Sequence, residues 1–232
     1  MEINIETFRN GDWYIKYFSK EKYAQAFYDL GQIQVCPLSY FIGLEKQGRG
    51  DNNEGFINGP GILYCKEEGE TKYKKLVDYT VLRANTQSLI FCISDPPMFV
   101  YEGETFIIDP KIYDDFGENT AELFAVFVNK KFFEEKLLQY CKIKGIGLIY
   151  GHVCYSDNEL PPEEIGKIIG NESHKHYFKK GTKFHHQCEY RYVIQNTLES
   201  FLTRTSATKT ANGYIFEIGS LQEGAFLAKI VR

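Results

Sequence analysis

The chain has 232 residues, 43% of them hydrophobic and 16% aromatic, and 27 Lys and Arg against 31 Asp and Glu give a formal net charge of −4. That size supplies one sizeable core, and the slightly acidic balance excludes a whole-protein field that draws nucleic acid, so such binding needs a local basic patch. No window has the length and apolarity needed to span a bilayer, and the opening Met1-Glu2-Ile3-Asn4-Ile5-Glu6 lacks the basic-then-apolar order of a leader. Cys36, Cys65, Cys92, Cys141, Cys154 and Cys188 form neither a CxxC pair nor a disulfide framework, which points to a reducing, cytoplasmic compartment and no membrane.

The aromatic content, with only two Met, favours strands. Trp13 to Phe18 reads as a first strand, with Ser19 placed to cap a helix from Lys20 to about Leu30 that Gly31 ends. Ile33, Val35 and Leu38 make a second strand, followed by the Gly-rich loop Gln47 to Gly55 with Arg49, Asp51 and Glu54 close together. Gly61–Cys65 and Val77–Leu82 are two further strands. Ser88 to Ser94 is continuously apolar, as a central strand covered on both faces is, and Pro96 and Pro97 force its end just after Ser94.

Farther on, 111–116 suits a turn of helix, 121–128 a strand, 130–141 an amphipathic helix and 147–155 a strand. Pro161 to Ile169 suits a short helix started by proline. A basic stretch from His174 to Lys180 leads into Phe184–Ile194, which reads as a strand with Gln187, Glu189 and Arg191 on one face and Cys188, Tyr190, Tyr192 and Ile194 on the other. Thr203 to Thr210 reads as a polar loop, and Tyr214–Ile218 and Ala225–Ile230 close the sheet. About nine strands and two or three helices without βαβ alternation predict an α+β fold, a mostly antiparallel split sheet in one domain over 1–232.

Several chemistries compete for the polar residues. His152, His174, His176, His185 and His186 show no zinc-ligand spacing, so no metal is expected, and the basic face they form with Lys175, Lys179, Lys180 and Lys183 suits phosphates. Cys188 neighbours His186 and Glu189 in sequence, but on a strand it faces away from Glu189. Walker, dinucleotide-glycine and nucleophile-elbow motifs are absent.

Three pieces remain: Tyr17 before Ser19, Ser94 at a strand end, and Gln187-Cys188-Glu189. In order and type they resemble the ADP-ribosyltransferase superfamily, whose first strand supplies an Arg, His or Tyr, whose second supplies a Ser and whose third supplies a Glu, often in a Gln-x-Glu pair. Tyr17-Phe18-Ser19 with its helix, and more loosely Ser94-Asp95-Pro96-Pro97, are similar to DarT-like toxins that modify nucleic acid. The loop Arg49 to Glu54, the strand ending at Ser94 and Glu189-Tyr190-Arg191 also resemble uncharacterised bacterial phage-defence proteins. The first-motif position falls on Tyr17 or Lys16, and the gap from Ser94 to Glu189 is longer than in many members.

The resemblance implies NAD as the substrate and a macromolecular acceptor, nucleic acid or protein, with an antitoxin or other partner protein if the chain is a toxin. Glu189 would stabilise charge on the sugar and Gln187 orient the acceptor, as the catalytic pair. Tyr17, Ser19 and Ser94 would hold the nicotinamide ribose and its surroundings, Ser94 by bonding either Glu189 or the ribose, and Arg49 would meet the pyrophosphate. The other reading keeps the sheet but makes the charged residues the rim of a non-catalytic interaction protein, an inhibitor or immunity factor. Convergence of Tyr17, Ser94 and Glu189 on one cleft separates the two.

Overall fold

A computed structural model describes residues 12–44, 56–59, 63–65, 74–77, 80–83, 85, 87–96, 100–102, 105–107, 109–116, 122–158 and 173–231. The strands in chain order are β1 (Trp13–Phe18), β2 (Gln32–Pro37), β3 (Phe56–Gly59), β4 (Leu63–Cys65), β5 (Lys74–Val77), β6 (Thr80–Arg83), β7 (Leu89–Ser94), β8 (Val100–Glu102), β9 (Thr105–Ile107), β10 (Glu122–Asn129), β11 (Leu148–His152), β12 (Cys154–Tyr155), β13 (Lys179–Lys180), β14 (Glu189–Ile194), β15 (Thr208–Lys209), β16 (Tyr214–Glu217) and β17 (Ala225–Val231). The helices are α1 (Glu21–Leu30), α2 (Leu38–Gly43), α3 (Lys111–Asp114), α4 (Lys130–Lys144) and α5 (Leu198–Thr205). Nine strands share one sheet whose pairings are all antiparallel, and the chain is an α+β protein.

The sheet forks at β7. One edge of β7 pairs along its length with β14, from Glu189 opposite Ser94 to Val193 opposite Ile90, and β14 in turn pairs with β11. The other edge is shared: Ser94 pairs with Ile15 of β1, while Ile90 and Leu89 pair with Cys36 and Pro37 of β2. Both neighbours run antiparallel to β7, so the end of β1 and the start of β2 compete for the same backbone. Neither takes it, and among the described residues Phe91, Cys92 and Ile93 have no strand partner on that edge. The arms continue separately, as β1–β10–β17 and β2–β16–β15.

Helix α1 joins the two arms. Gly31 ends it with φ +60, and an added Cβ there would stand 2.2 Å from the carbonyl oxygen of Gly219, so both its left-handed backbone and its surroundings favour glycine. Lys20, not Ser19, is the residue at the helix start, and its side chain makes no capping bond. The polar tract expected at 203–210 as a loop is instead entered by α5, which Thr197 caps by accepting from the Ser200 N–H. Leu198, Phe201, Leu202 and Thr205 carry the helical spacing that marks it, with Phe201 and Thr205 buried. Among the described residues no helix is long and apolar enough to cross a membrane.

On one sheet face the main core gathers Tyr14, Phe27, Phe91, Phe133, Tyr192 and Phe201 beneath the helices. The ring of Phe133 lies 5.9 Å from those of Phe91 and Tyr192 and 6.1 Å from those of Tyr14 and Phe27, and so ties strands from both sides of the fork to α4. The opposite face holds smaller clusters around Ile15 and Phe127, around Ile90 and Val193, and around Ile112 and Leu123. Because Phe133 is fully buried, Phe133→Ala is expected to cost about 3–5 kcal/mol of stability in chemical denaturation, through lost burial and the cavity left behind. A loss under about 1 kcal/mol would show that this ring does not hold the helices to the sheet.

Candidate functional site

The fork opens onto a cavity of about 630 Å³, within the range of small-molecule sites. Its floor is the unpaired edge of β7, and its walls are the diverging ends of β1 and β2. Tyr17, Ser19, Ser94, Gln187 and Glu189 all line it. The early tyrosine, the mid-chain serine and the late glutamate thus meet in one cleft, drawn from three strands far apart in sequence. Arg49 and the helix expected over 161–169 lie outside the described residues.

Each of these side chains is placed by ordinary strand geometry. Ser94 and Glu189 are directly opposed across β7 and β14, and Ser94 is in turn opposite Ile15 of β1, so all three share a face. Tyr17, two residues beyond Ile15, shares that face too and packs partly buried against the clusters of Ile15 and Ile112. Burial pushes its hydroxyl well above the usual tyrosine range, so Tyr17 stays a neutral donor and acceptor.

Gln187 reaches the cavity differently from the sequence expectation. The strand begins at Glu189; residues Thr182–Gln187 form a 3₁₀ turn, and Cys188 closes it in the left-handed conformation at φ 43. The end of β7 fixes this turn, because the Ser94 hydroxyl donates to the Gln187 carbonyl and the Asp95 N–H donates to the Cys188 carbonyl at 2.7 Å. Ser94 therefore holds the backbone of the turn and not the Glu189 carboxylate.

Glu189 is held by two cations. Arg191, two residues on and on the same face, is bidentate to it, Nε to Oε1 at 2.7 Å and Nη2 to Oε2 at 3.1 Å, and its Nη1 donates to the Tyr177 carbonyl at 2.6 Å. Lys180 Nζ donates to Glu189 Oε2 at 3.0 Å and to Gln187 Oε1 at 2.8 Å. Burial alone would raise the Glu189 carboxyl, but Arg191 and then Lys180 outweigh it and hold the group well below the usual carboxylate range. The Glu189 N–H is anchored too, donating to the Tyr155 hydroxyl at 2.7 Å.

The network extends one step further than the sequence motif. Gln187 Nε2 donates to Asp115 Oδ2 at 2.8 Å, and His186 Nε2 lies 3.0 Å from the same oxygen. Asp115 follows α3 and also lines the cavity. With Lys180 on one side and Asp115 on the other, the Gln187 amide has a single orientation that satisfies both neighbours. Beyond this chain, Lys16 enters the fork and donates to the unpaired Cys92 carbonyl at 2.5 Å, with its ammonium 4.9 Å from the centre of the Phe91 ring.

Sequence reasoning named Tyr17, Ser94, Gln187 and Glu189 but missed the roles of Lys180 and Asp115. For Arg191 the signal was present, since an i, i+2 pair on a strand shares a face. Lys180, read from the sequence as part of a basic face, is instead 3% exposed and bonded to Glu189, and Asp115 carried no local signal. Cys188 is not activated: its thiol points to the His185 carbonyl at 3.5 Å, and burial raises it above the ordinary thiol range.

Removing one partner from this buried group leaves charge poorly compensated, so Arg191→Met is expected to cost on the order of 3 kcal/mol. The pH dependence has a definite sign. The folded carboxyl is depressed, so the stability it confers is fully present above the unfolded carboxyl value, roughly 4.3, and is lost as pH falls from there toward the folded value. Urea unfolding of the wild type between pH 7 and pH 3 should lose more stability below about pH 4 than Arg191→Met does. Parallel curves would show that the guanidinium does not set the ionisation of Glu189. Neither a protein-family model nor a curated protein nor a solved structure matches the chain, so the geometry of the site carries the functional argument.

Proposed function

We propose that the chain is an ADP-ribosyltransferase-like enzyme that uses NAD as substrate and transfers its ADP-ribose to a macromolecular acceptor, nucleic acid or protein. The observation that carries this reading is the meeting of Tyr17, Ser94 and Glu189 at one cavity of about 630 Å³ in the fork of the sheet. The chemistry suits the residues. The C1′–N bond of the nicotinamide riboside breaks with its electron pair leaving on nicotinamide, positive charge develops on the sugar, and the acceptor forms the new bond at C1′ and gives up its proton. Glu189 is an ionised carboxylate on the cavity wall, suited to face that charge.

Gln187, with its amide direction fixed, orients the acceptor, and Tyr17 packs on or bonds the ribose. Ser94 serves indirectly, by holding the turn that carries Gln187. The free thiols Cys36, Cys92, Cys141, Cys154 and Cys188 suit a reducing, cytoplasmic setting, in which a toxin or phage-defence effector with an antitoxin partner would act.

One observation favours the competing class, an inhibitor or immunity factor on the same fold. Glu189 is only 7% exposed, and both of its oxygens already accept from Arg191 or Lys180. Incubation with NAD labelled in the nicotinamide ring separates the two. The wild type should release nicotinamide, and Glu189→Gln, with unfolding used to verify its fold, should release it at least about a hundredfold more slowly. Equal rates would remove Glu189 from the chemistry, and no release by a folded wild type would favour the interaction protein.

A further inference from the structure

The hydrogen bonds to Glu189 leave an incoming sugar little room. A carboxylate offers about four lone-pair positions. Arg191 takes one on each oxygen and Lys180 takes another on Oε2, so one position, on Oε1, is left. The charge at the carboxylate points the same way: Glu189 with its two direct cations is net positive, with Asp115 one step away through Gln187, and excess positive charge beside a sugar opposes cation formation there. The resting arrangement is therefore unsuited to the reaction that the cleft otherwise fits.

The two cations are buried alike, Lys180 at 3% and Arg191 at 1% exposed, but they differ in the backbone that carries them and in their place relative to the cavity. Arg191 belongs to β14 itself, is 1% exposed, makes a third bond to the Tyr177 carbonyl and is absent from the cavity wall. Lys180 ends the two-residue strand β13 between two 3₁₀ turns, Ser173–Phe178 and Thr182–Gln187, and its side chain lines the cavity. Its ammonium lies 4.8 Å from the centre of the Phe184 ring and bridges Gln187 and Glu189. Arg191 is thus the fixed counter-ion and Lys180 the displaceable one.

We infer that Lys180 is an autoinhibitory gate: its ammonium occupies the Glu189 oxygen that the sugar needs, and turnover requires it to move away. This inference rests on the proposed reaction. With Lys180 displaced, Glu189 remains paired with Arg191, so the buried carboxylate stays compensated while Oε2 becomes available to a ribose hydroxyl. An anionic group of a ligand entering the same cavity offers the ammonium a replacement partner, which couples opening of the gate to occupancy of the cleft.

The test compares nicotinamide release from NAD by wild type, Lys180→Met and Lys180→Met/Glu189→Gln. The methionine has a similar stem without charge and the Arg191 pair remains, while Gln187 and Glu189 each lose a buried donor, so the variant should unfold cooperatively at a lower stability than the wild type. If it does not fold, Lys180→Gln, which retains a donor without charge, takes its place in the same comparison. Release by the single variant should exceed that of the wild type by roughly tenfold, and Glu189→Gln in the same background should abolish the gain. A wild type that turns over as fast as or faster than the single variant overturns the gate and leaves the proposed reaction standing. No release by any of the folded proteins overturns the proposed reaction and the gate with it.

Discussion

Strand β7 cannot satisfy β1 and β2 along the same edge, and the site follows from that competition. Both strands approach antiparallel to β7, each pairs at one end, and the backbone of Phe91 to Ile93 is left between them. An open sheet edge in a protein interior would ordinarily carry unmet hydrogen-bonding groups. Here Lys16 enters the gap and bonds the Cys92 carbonyl, which places a charged side chain in the fork. The cavity is thus a product of sheet topology rather than of a flexible loop, and its floor is held by pairing with β14 on the far side.

The same pairing determines which chemistry reaches the cavity. Because Ser94 and Glu189 are opposed in register, the end of the apolar strand and the start of the charged one arrive together. The strand end then bonds the 3₁₀ turn and swings Gln187 toward Lys180 and Asp115. What results is a row of groups from His186 through Asp115, Gln187, Lys180 and Glu189 to Arg191, in which each neighbour limits the freedom of the next. Such a row costs desolvation at every member and persists because nearly every member is satisfied. The exception is His186 Nδ1, which is buried without a hydrogen-bond partner among the described residues.

Much of this was legible in the sequence. The runs at Trp13–Phe18 and Leu89–Ser94 announced themselves by apolarity, and the prolines after Ser94 and the glycine at 31 marked where elements stop. Glu189 and Arg191 were readable as partners of one face. The turn was not, because the aromatic and β-branched residues around 184–194 continue a strand pattern that Cys188, in a left-handed backbone, interrupts. The roles of Asp115 and Lys180 were hidden for another reason. Their roles arise from contacts across 72 and 9 positions respectively, which local pattern does not encode. The fork itself has no sequence signature, since it depends on two strands competing for one edge.

The account stands on NAD entering the fork with its nicotinamide ribose beside Glu189. A crystal structure of the Glu189→Gln variant grown with NAD tests that placement directly. The account predicts ligand density between the diverging ends of β1 and β2, with a ribose hydroxyl within hydrogen-bond reach of residue 189 and the nicotinamide near Tyr17. An empty fork at saturating NAD, or a dinucleotide bound elsewhere on the protein, would contradict it.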